Sequence, residues 1–217
     1  MRTVHTDSLT DIVYENIKQD ILNREYAFGD KLTVRVLCEK YSVSETPVKL
    51  ALNRLVTEKL VEAVPRRGIR VSSFDLGEFN QLMETRRMME NWCMQEMLEK
   101  ASCDPEYIVL VNEKREACRS MIALYHEKKL KYDSVVEADY EFHKALMSAT
   151  GNRVLYDLYS VLCDRLVLYC IWSRGYHDTQ GFVEKMHDRI FKALIDGNRE
   201  ELSTAVNDHL SQVIEWL

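Results

Sequence analysis

A proline a few residues into a helix fixes where that helix begins. In the run Val43-Ser44-Glu45-Thr46-Pro47-Val48-Lys49-Leu50-Ala51-Leu52, Pro47 has no amide proton to donate. It fits the first turn, where amides have no intrahelical partner. Ser44 is a good N-cap for the helix that follows. Val48, Leu52, Leu55, Val56 and Leu60 supply its expected buried face. Upstream, Leu9, Ile12, Val13, Ile17 and Ile21 give a first amphipathic helix, broken by Phe28-Gly29-Asp30. Thr33 can cap a short second helix carrying Val36, Leu37 and Tyr41, and Ser42-Val43-Ser44 makes a tight turn. Residues 60–64 and 69–71 read as two short strands around Pro65-Arg66-Arg67-Gly68. The order is helix, helix, helix, hairpin.

Beyond Phe74-Asp75, which reads as a domain joint, the periodicity is almost wholly helical. Helices are expected near 75–100, 104–130, 132–149, 152–175, 179–196 and 199–216. Ser102-Cys103-Asp104-Pro105, Thr150-Gly151-Asn152 and Asp196-Gly197-Asn198 are the breaks, the last with Gly in the usual place past a helix end. Seven Gly and three Pro in 217 residues suit long helices and short connections. The expected fold class is mainly α. Residues 1–73 form a winged helix-turn-helix with a small β-hairpin wing, and residues 75–217 form an all-helical bundle.

The first residues, Met1-Arg2-Thr3-Val4-His5-Thr6-Asp7, lack an apolar signal core. No run approaches the roughly 18 apolar residues that a membrane span needs. A soluble, cytoplasmic protein with no membrane partner is expected. Cys38, Cys93, Cys103, Cys118, Cys163 and Cys170 form no C-x-x-C pair, and reduced, mostly buried thiols are expected. The net charge of −6 divides unevenly, with +2 on residues 1–73 and −8 on the remainder. Local charge, not the total, governs attraction to phosphate.

A helix-turn-helix sets the N-terminal residues of its second helix against base edges. Here these are Glu45, Thr46, Lys49 and Asn53. Thr46 suits a phosphate or a thymine methyl, and Lys49 a guanine or a phosphate. Ser44, Arg66, Arg67, Gly68 and Arg70 are placed for the DNA backbone or the minor groove, and Arg35 for the groove edge. The alternative is a small helical domain with a solvated, charged face.

These residues resemble the GntR regulators. The matching positions are Phe28-Gly29-Asp30-Lys31-Leu32, Leu37-Cys38, Val43-Ser44, Thr46-Pro47-Val48, Ala51-Leu52, Arg54-Leu55, Leu60-Val61 and Arg67-Gly68-Ile69-Arg70-Val71. Three positions depart from the family pattern. Glu45 stands where the family usually carries a base-reading Arg, Lys49 replaces another Arg, and Leu50 replaces an acidic residue. A carboxylate cannot donate to guanine but can accept from cytosine N4, which puts the family's usual operator in question.

Asp139-Tyr140-Glu141-Phe142-His143 places a carboxylate and an imidazole on one helical face, with His187 and His209 on later helices. On spacing alone, D-x-x-x-H is a weak signal. The second half also resembles the FadR-type effector domain of GntR regulators, through Glu84/Arg86/Glu90, Asp139/Phe142/His143, Gly151-Asn152, His187 and His209. One carboxylate and three imidazoles suit a borderline divalent ion such as Zn²⁺, Ni²⁺ or Mn²⁺, and the resemblance implies that Asp139, His143, His187 and His209 hold it. It also implies a small carboxylate effector, a homodimer and a double-stranded, palindromic DNA operator. Arg86 is the leading effector clamp, although its alternative is a buried ion pair with a neighbouring Glu. Asn152, Arg165 and Tyr169 are further pocket candidates, and Trp172 is read as core or dimer contact. His5, His126 and His177 are expected at the surface. Two other readings stay open: a metalloregulator in which the ion is the signal, and a metal-dependent hydrolase with a DNA-binding head and Glu141 or Glu184 as base.

Overall fold

The structure, a computed structural model, describes residues 8–73, 75–173 and 181–215; Phe74, His5 and His177 lie outside these. The chain divides into two compact units, residues 1–74 and 75–217.

The first unit is built on three helices, α1 (Leu9–Leu22), α2 (Val34–Tyr41) and α3 (Glu45–Thr57). A capping box starts α1. The Ser8 hydroxyl accepts from the Asp11 amide at 3.2 Å, and the Asp11 carboxylate accepts from the Ser8 amide at 3.1 Å. Val13, Tyr14, Ile17 and Ile21 of α1 are buried, as are Val48, Ala51, Leu52 and Leu55 of α3. These two helices pack together. Helix α1 ends at Leu22, well before Phe28-Gly29-Asp30, and Arg24 takes a left-handed conformation, φ 61°. Ser44 and Thr33 hold the N-cap positions of α3 and α2, yet neither side chain makes a capping bond.

Strands β2 (Val61–Val64) and β3 (Gly68–Val71) form the hairpin, paired antiparallel from Val61↔Val71 to Val64↔Gly68. Left-handed Arg66 (φ 63°) and Gly68 (φ 88°) turn the chain at its tip. A strand that the sequence reading lacks, β1 (Lys31–Leu32), pairs with the other edge of β3, giving the order β1-β3-β2.

The second unit holds α4 (Leu76–Cys103), α5 (Pro105–His126), α6 (Tyr132–Met147), α7 (Arg153–Ser173), α8 (Phe182–Ile195) and α9 (Arg199–Glu215). Asp75 and Asp104 cap α4 and α5, each accepting from two first-turn amides. Helix α4 is central and packs against all five others. Its inward stripe is Phe79, Met83, Arg86, Glu90, Cys93, Met94 and Met97. Two charged residues therefore occupy core positions in an otherwise apolar seam. Four thiols are buried, Cys38 is half-buried and Cys103 is exposed; none forms a disulfide.

Candidate metal centre and DNA-reading face

Four ligating side chains converge inside the second unit. Helix α6 carries Asp139 and His143 one turn apart, α8 carries His187, and α9 carries His209. One ligand atom from each lies within 4.8 Å of all the others, and all four residues are buried. His187 Nε2 and His209 Nε2 stand 3.0 and 3.3 Å from Asp139 Oδ1. These approaches lack hydrogen-bond geometry. Among the described residues, Asp139 Oδ1, His143 Nε2, His187 Nε2 and both ring nitrogens of His209 have no hydrogen-bond partner. Buried polar atoms are nearly always paired, so five orphans at one point need an explanation. One carboxylate and three imidazoles are a donor set suited to a borderline divalent ion.

The electrostatics agree with that chemistry. Burial, reinforced by the Arg86 charge, pushes the His143 imidazole down to about 3. Burial likewise lowers His187. Neutral imidazole is the ligating form. Burial opposes the Asp139 charge, but His209 and His187 more than offset this and hold its carboxyl well below the usual range.

Glu90 organises the neighbouring groups. Its Oε2 lies 3.1 Å from His143 Nδ1, and its Oε1 accepts from the Tyr159 hydroxyl at 2.6 Å and from Arg86 Nε at 2.7 Å. With His143 Nδ1–H donating to Glu90, the Nε2 lone pair is left facing the other ligands. Arg86 is 0% exposed, and its guanidinium carbon sits 4.5 Å above the Tyr140 ring. Both Nη groups lack a partner. Arg86 thus gives its Nε–H to a buried ion pair with Glu90, while both Nη groups, four N–H donors, stay unsatisfied among the described residues.

The other effector candidates have different work. Asn152 is exposed and caps α7, its Oδ1 accepting from the Leu155 amide at 3.1 Å. Arg165 and the Tyr169 hydroxyl both donate to Glu78 at the start of α4. A surface groove of about 550 Å³ along α4 and α9, lined by Asn91, Met94, Arg199, Glu200, Ser203 and Thr204, contains none of the four candidate ligands. His126 is exposed. The sequence reading gave no role to Tyr140 or Tyr159 and none to Glu90 beyond the motif. The available signal was a pair of charges, Arg86 and Glu90, at core spacing in α4.

In the first unit, Ser44, Glu45, Thr46, Lys49 and Asn53 are exposed on α3, and Arg66, Arg67 and Gly68 are exposed at the wing tip. Lys49 Nζ donates to Glu45 Oε2 at 2.6 Å. Arg35 is exposed and pairs with Glu39 at 3.0 Å. Arg70 points inward, and its Nη1 donates to the Gly29 carbonyl at 2.6 Å. That bond ties β3 to the turn before β1.

Residues 9–71 match the family described as bacterial regulatory proteins, gntR family, and residues 81–212 match the FCD domain. The chain belongs to the GntR family. It is 25% identical over 205 residues to the HTH-type transcriptional repressor GlaR of Escherichia coli K12, covering 91% of this chain and 90% of that one. It is 28% identical over 209 residues to the HTH-type transcriptional regulator LutR of Bacillus subtilis, covering 91% and 95%. The solved structure of a GntR transcriptional regulator from Rhodococcus sp. RHA1 has the same fold, with TM-score 0.81 and 20% identity over 96% of this chain and 97% of that one. E. coli McbR/YncC also shares it, with TM-score 0.80 and 18% identity over 97% of each. This GntR protein is therefore a DNA-binding transcriptional regulator with an FCD effector domain, and not an enzyme. Among its described residues no helix is long and apolar enough to cross a membrane.

Proposed function

We propose that this regulator holds a divalent ion at Asp139, His143, His187 and His209, and that a small carboxylic acid engaging both the ion and Arg86 sets its operator affinity. The observation that carries the reading is the set of unpaired, buried polar atoms on those five residues. A bound ion would offset the Asp139 charge and offer open coordination positions to a carboxylate. Arg86 supplies two parallel donors, the fork that matches a carboxylate. Glu90 keeps that fork oriented and fixes the His143 tautomer. Arg165, Tyr169 and Asn152 are already engaged elsewhere, so Arg86 is the effector residue of this proposal.

Residues 1–73 would read the operator through α3 and the wing, and residues 75–217 would sense the acid and form the homodimer. Two heads on a symmetric dimer call for a palindromic site. The acid controls binding only if its affinity differs between the DNA-competent and incompetent states.

Metal analysis of untagged protein and operator titrations test this. Wild type should carry stoichiometric metal, and small carboxylic acids should shift its operator affinity. His187→Ala should lose both the metal and the response while keeping a folded N-terminal unit. Equal, sub-stoichiometric metal in the two proteins would sink the proposal. A response to metal alone, unaltered by any acid, would make the ion itself the signal.

A further inference from the structure

The reading helix of this regulator carries a charge arrangement that needs its own explanation. Glu45 is the first residue of α3, and Lys49 sits one turn on. Their side chains are 65% and 58% exposed and bonded to each other at 2.6 Å. Neither has another hydrogen-bond partner among the described residues. Ser44, next to them, makes no side-chain capping bond. The exposed start of α3, which on the reading proposed above meets the DNA, thus carries a neutral pair with an acceptor and a donor side by side.

A carboxylate in a groove walled by phosphates is repelled unless a base donates to it. Two major-groove donors exist, cytosine N4 and adenine N6. The adjacent ammonium decides between them. In a C·G pair the edge runs N4 donor, O6 acceptor, N7 acceptor. Cytosine N4 and guanine O6 are joined by a Watson–Crick hydrogen bond of about 2.9 Å, close to the spacing of Glu45 Oε2 and Lys49 Nζ. The carboxylate can face N4 while the ammonium faces O6 and N7. In an A·T pair the N6 donor has an acceptor on each side, N7 and O4. One of those acceptors would face the carboxylate.

We propose that Glu45 and Lys49 read one C·G base pair as a unit, with Glu45 accepting from cytosine N4 and Lys49 donating to guanine O6 and N7 of the same pair. The couple is preformed, so little side-chain freedom is lost on binding. It also has a direction. Inverting the pair to G·C exchanges donor and acceptors and sets like against like.

Selection of tight binders from a randomised duplex pool by the full-length protein tests this. Wild type should enrich C·G at one position of each half-site. Glu45→Ala should lose that preference by roughly 5- to 150-fold, the usual cost of one mismatched pair, and keep the others. Lys49→Ala should relax the same position. N4-methylcytosine at that site removes the groove-facing donor and should weaken wild type without affecting Glu45→Ala. Thermal melting shows whether each variant stays folded. The inference falls if Glu45→Ala keeps every preference, if the responsive position is not C·G, or if methylation has no effect. It falls equally if Lys49→Ala weakens all sequences alike, which marks a phosphate contact, or if wild type enriches no motif.

Discussion

Glu90 shows how one side chain can serve several neighbours. It is buried in α4, beside Arg86, Tyr159 and His143. Burial opposes its charge, yet His143 and Arg86 hold its carboxyl below the usual carboxylate range. A carboxyl lowered in this way stabilises the fold fully above its unfolded pKa, near 4.5, and that contribution is lost as the pH falls. Removing one partner of a buried ion pair leaves an uncompensated charge and costs about 3–5 kcal/mol. Glu90→Ala should therefore destabilise the second unit by about that much at neutral pH, as chemical unfolding will measure. A loss below about 1 kcal/mol, the level of an exposed pair, would contradict this account. The sequence displayed Asp139 and His143 as an i, i+4 pair and His187 and His209 on later helices, but only the family resemblance joined all four into one set. No local pattern joins Glu90 to Tyr159, because that bond spans 69 positions. The inward turn of Arg70 to the Gly29 carbonyl was hidden for the same reason: it depends on β1 lying beside β3.

At the scale of elements, the helices were legible because each must bury one apolar face. Breaks at Gly197 and Asp104 marked their ends well. Strand β1 escaped because two residues, Lys31 and Leu32, carry no period. Sequence placed Ser44 and Thr33 at their caps but could not say that those hydroxyls would make no capping bond, whereas Ser8, Asp75 and Asp104 do. The wing projects Arg66 and Arg67 from a tight turn closed by the Arg67 amide on the Val64 carbonyl at 3.0 Å. On the proposed DNA-reading face, charges presented in this way would meet phosphates, whose contacts fix position rather than sequence. Arg67→Ala should weaken binding to every duplex to a similar degree. It should also reduce the slope of log affinity against log salt by about 0.9, the value for one lost phosphate contact. An unchanged slope would take Arg67 off the DNA.

At the scale of the molecule, the thiols report on both units. Cys93, Cys118, Cys163 and Cys170 are buried in the second unit, and Cys103 is exposed there. Cys38, in the first unit, is half-buried. Burial pushes the Cys163 and Cys170 thiols up to about 12, so mild alkali leaves them as unreactive thiols. A disulfide reagent should label Cys103 promptly, Cys38 more slowly and the other four only on unfolding. Prompt reaction of Cys163 or Cys170 in native protein would contradict the packing described above.

Among the described residues of the second unit, unmet polarity gathers at one buried point, on Asp139, His143, His187, His209 and Arg86. Well-fitted apolar residues in place of such groups are often neutral or stabilising. Replacing these groups together with well-fitted apolar residues should therefore cost the fold little while removing what the proposed ion and acid depend on. A relative without the proposed signal would be free to carry apolar residues there, and would keep its helices and its wing while losing only the polar centre.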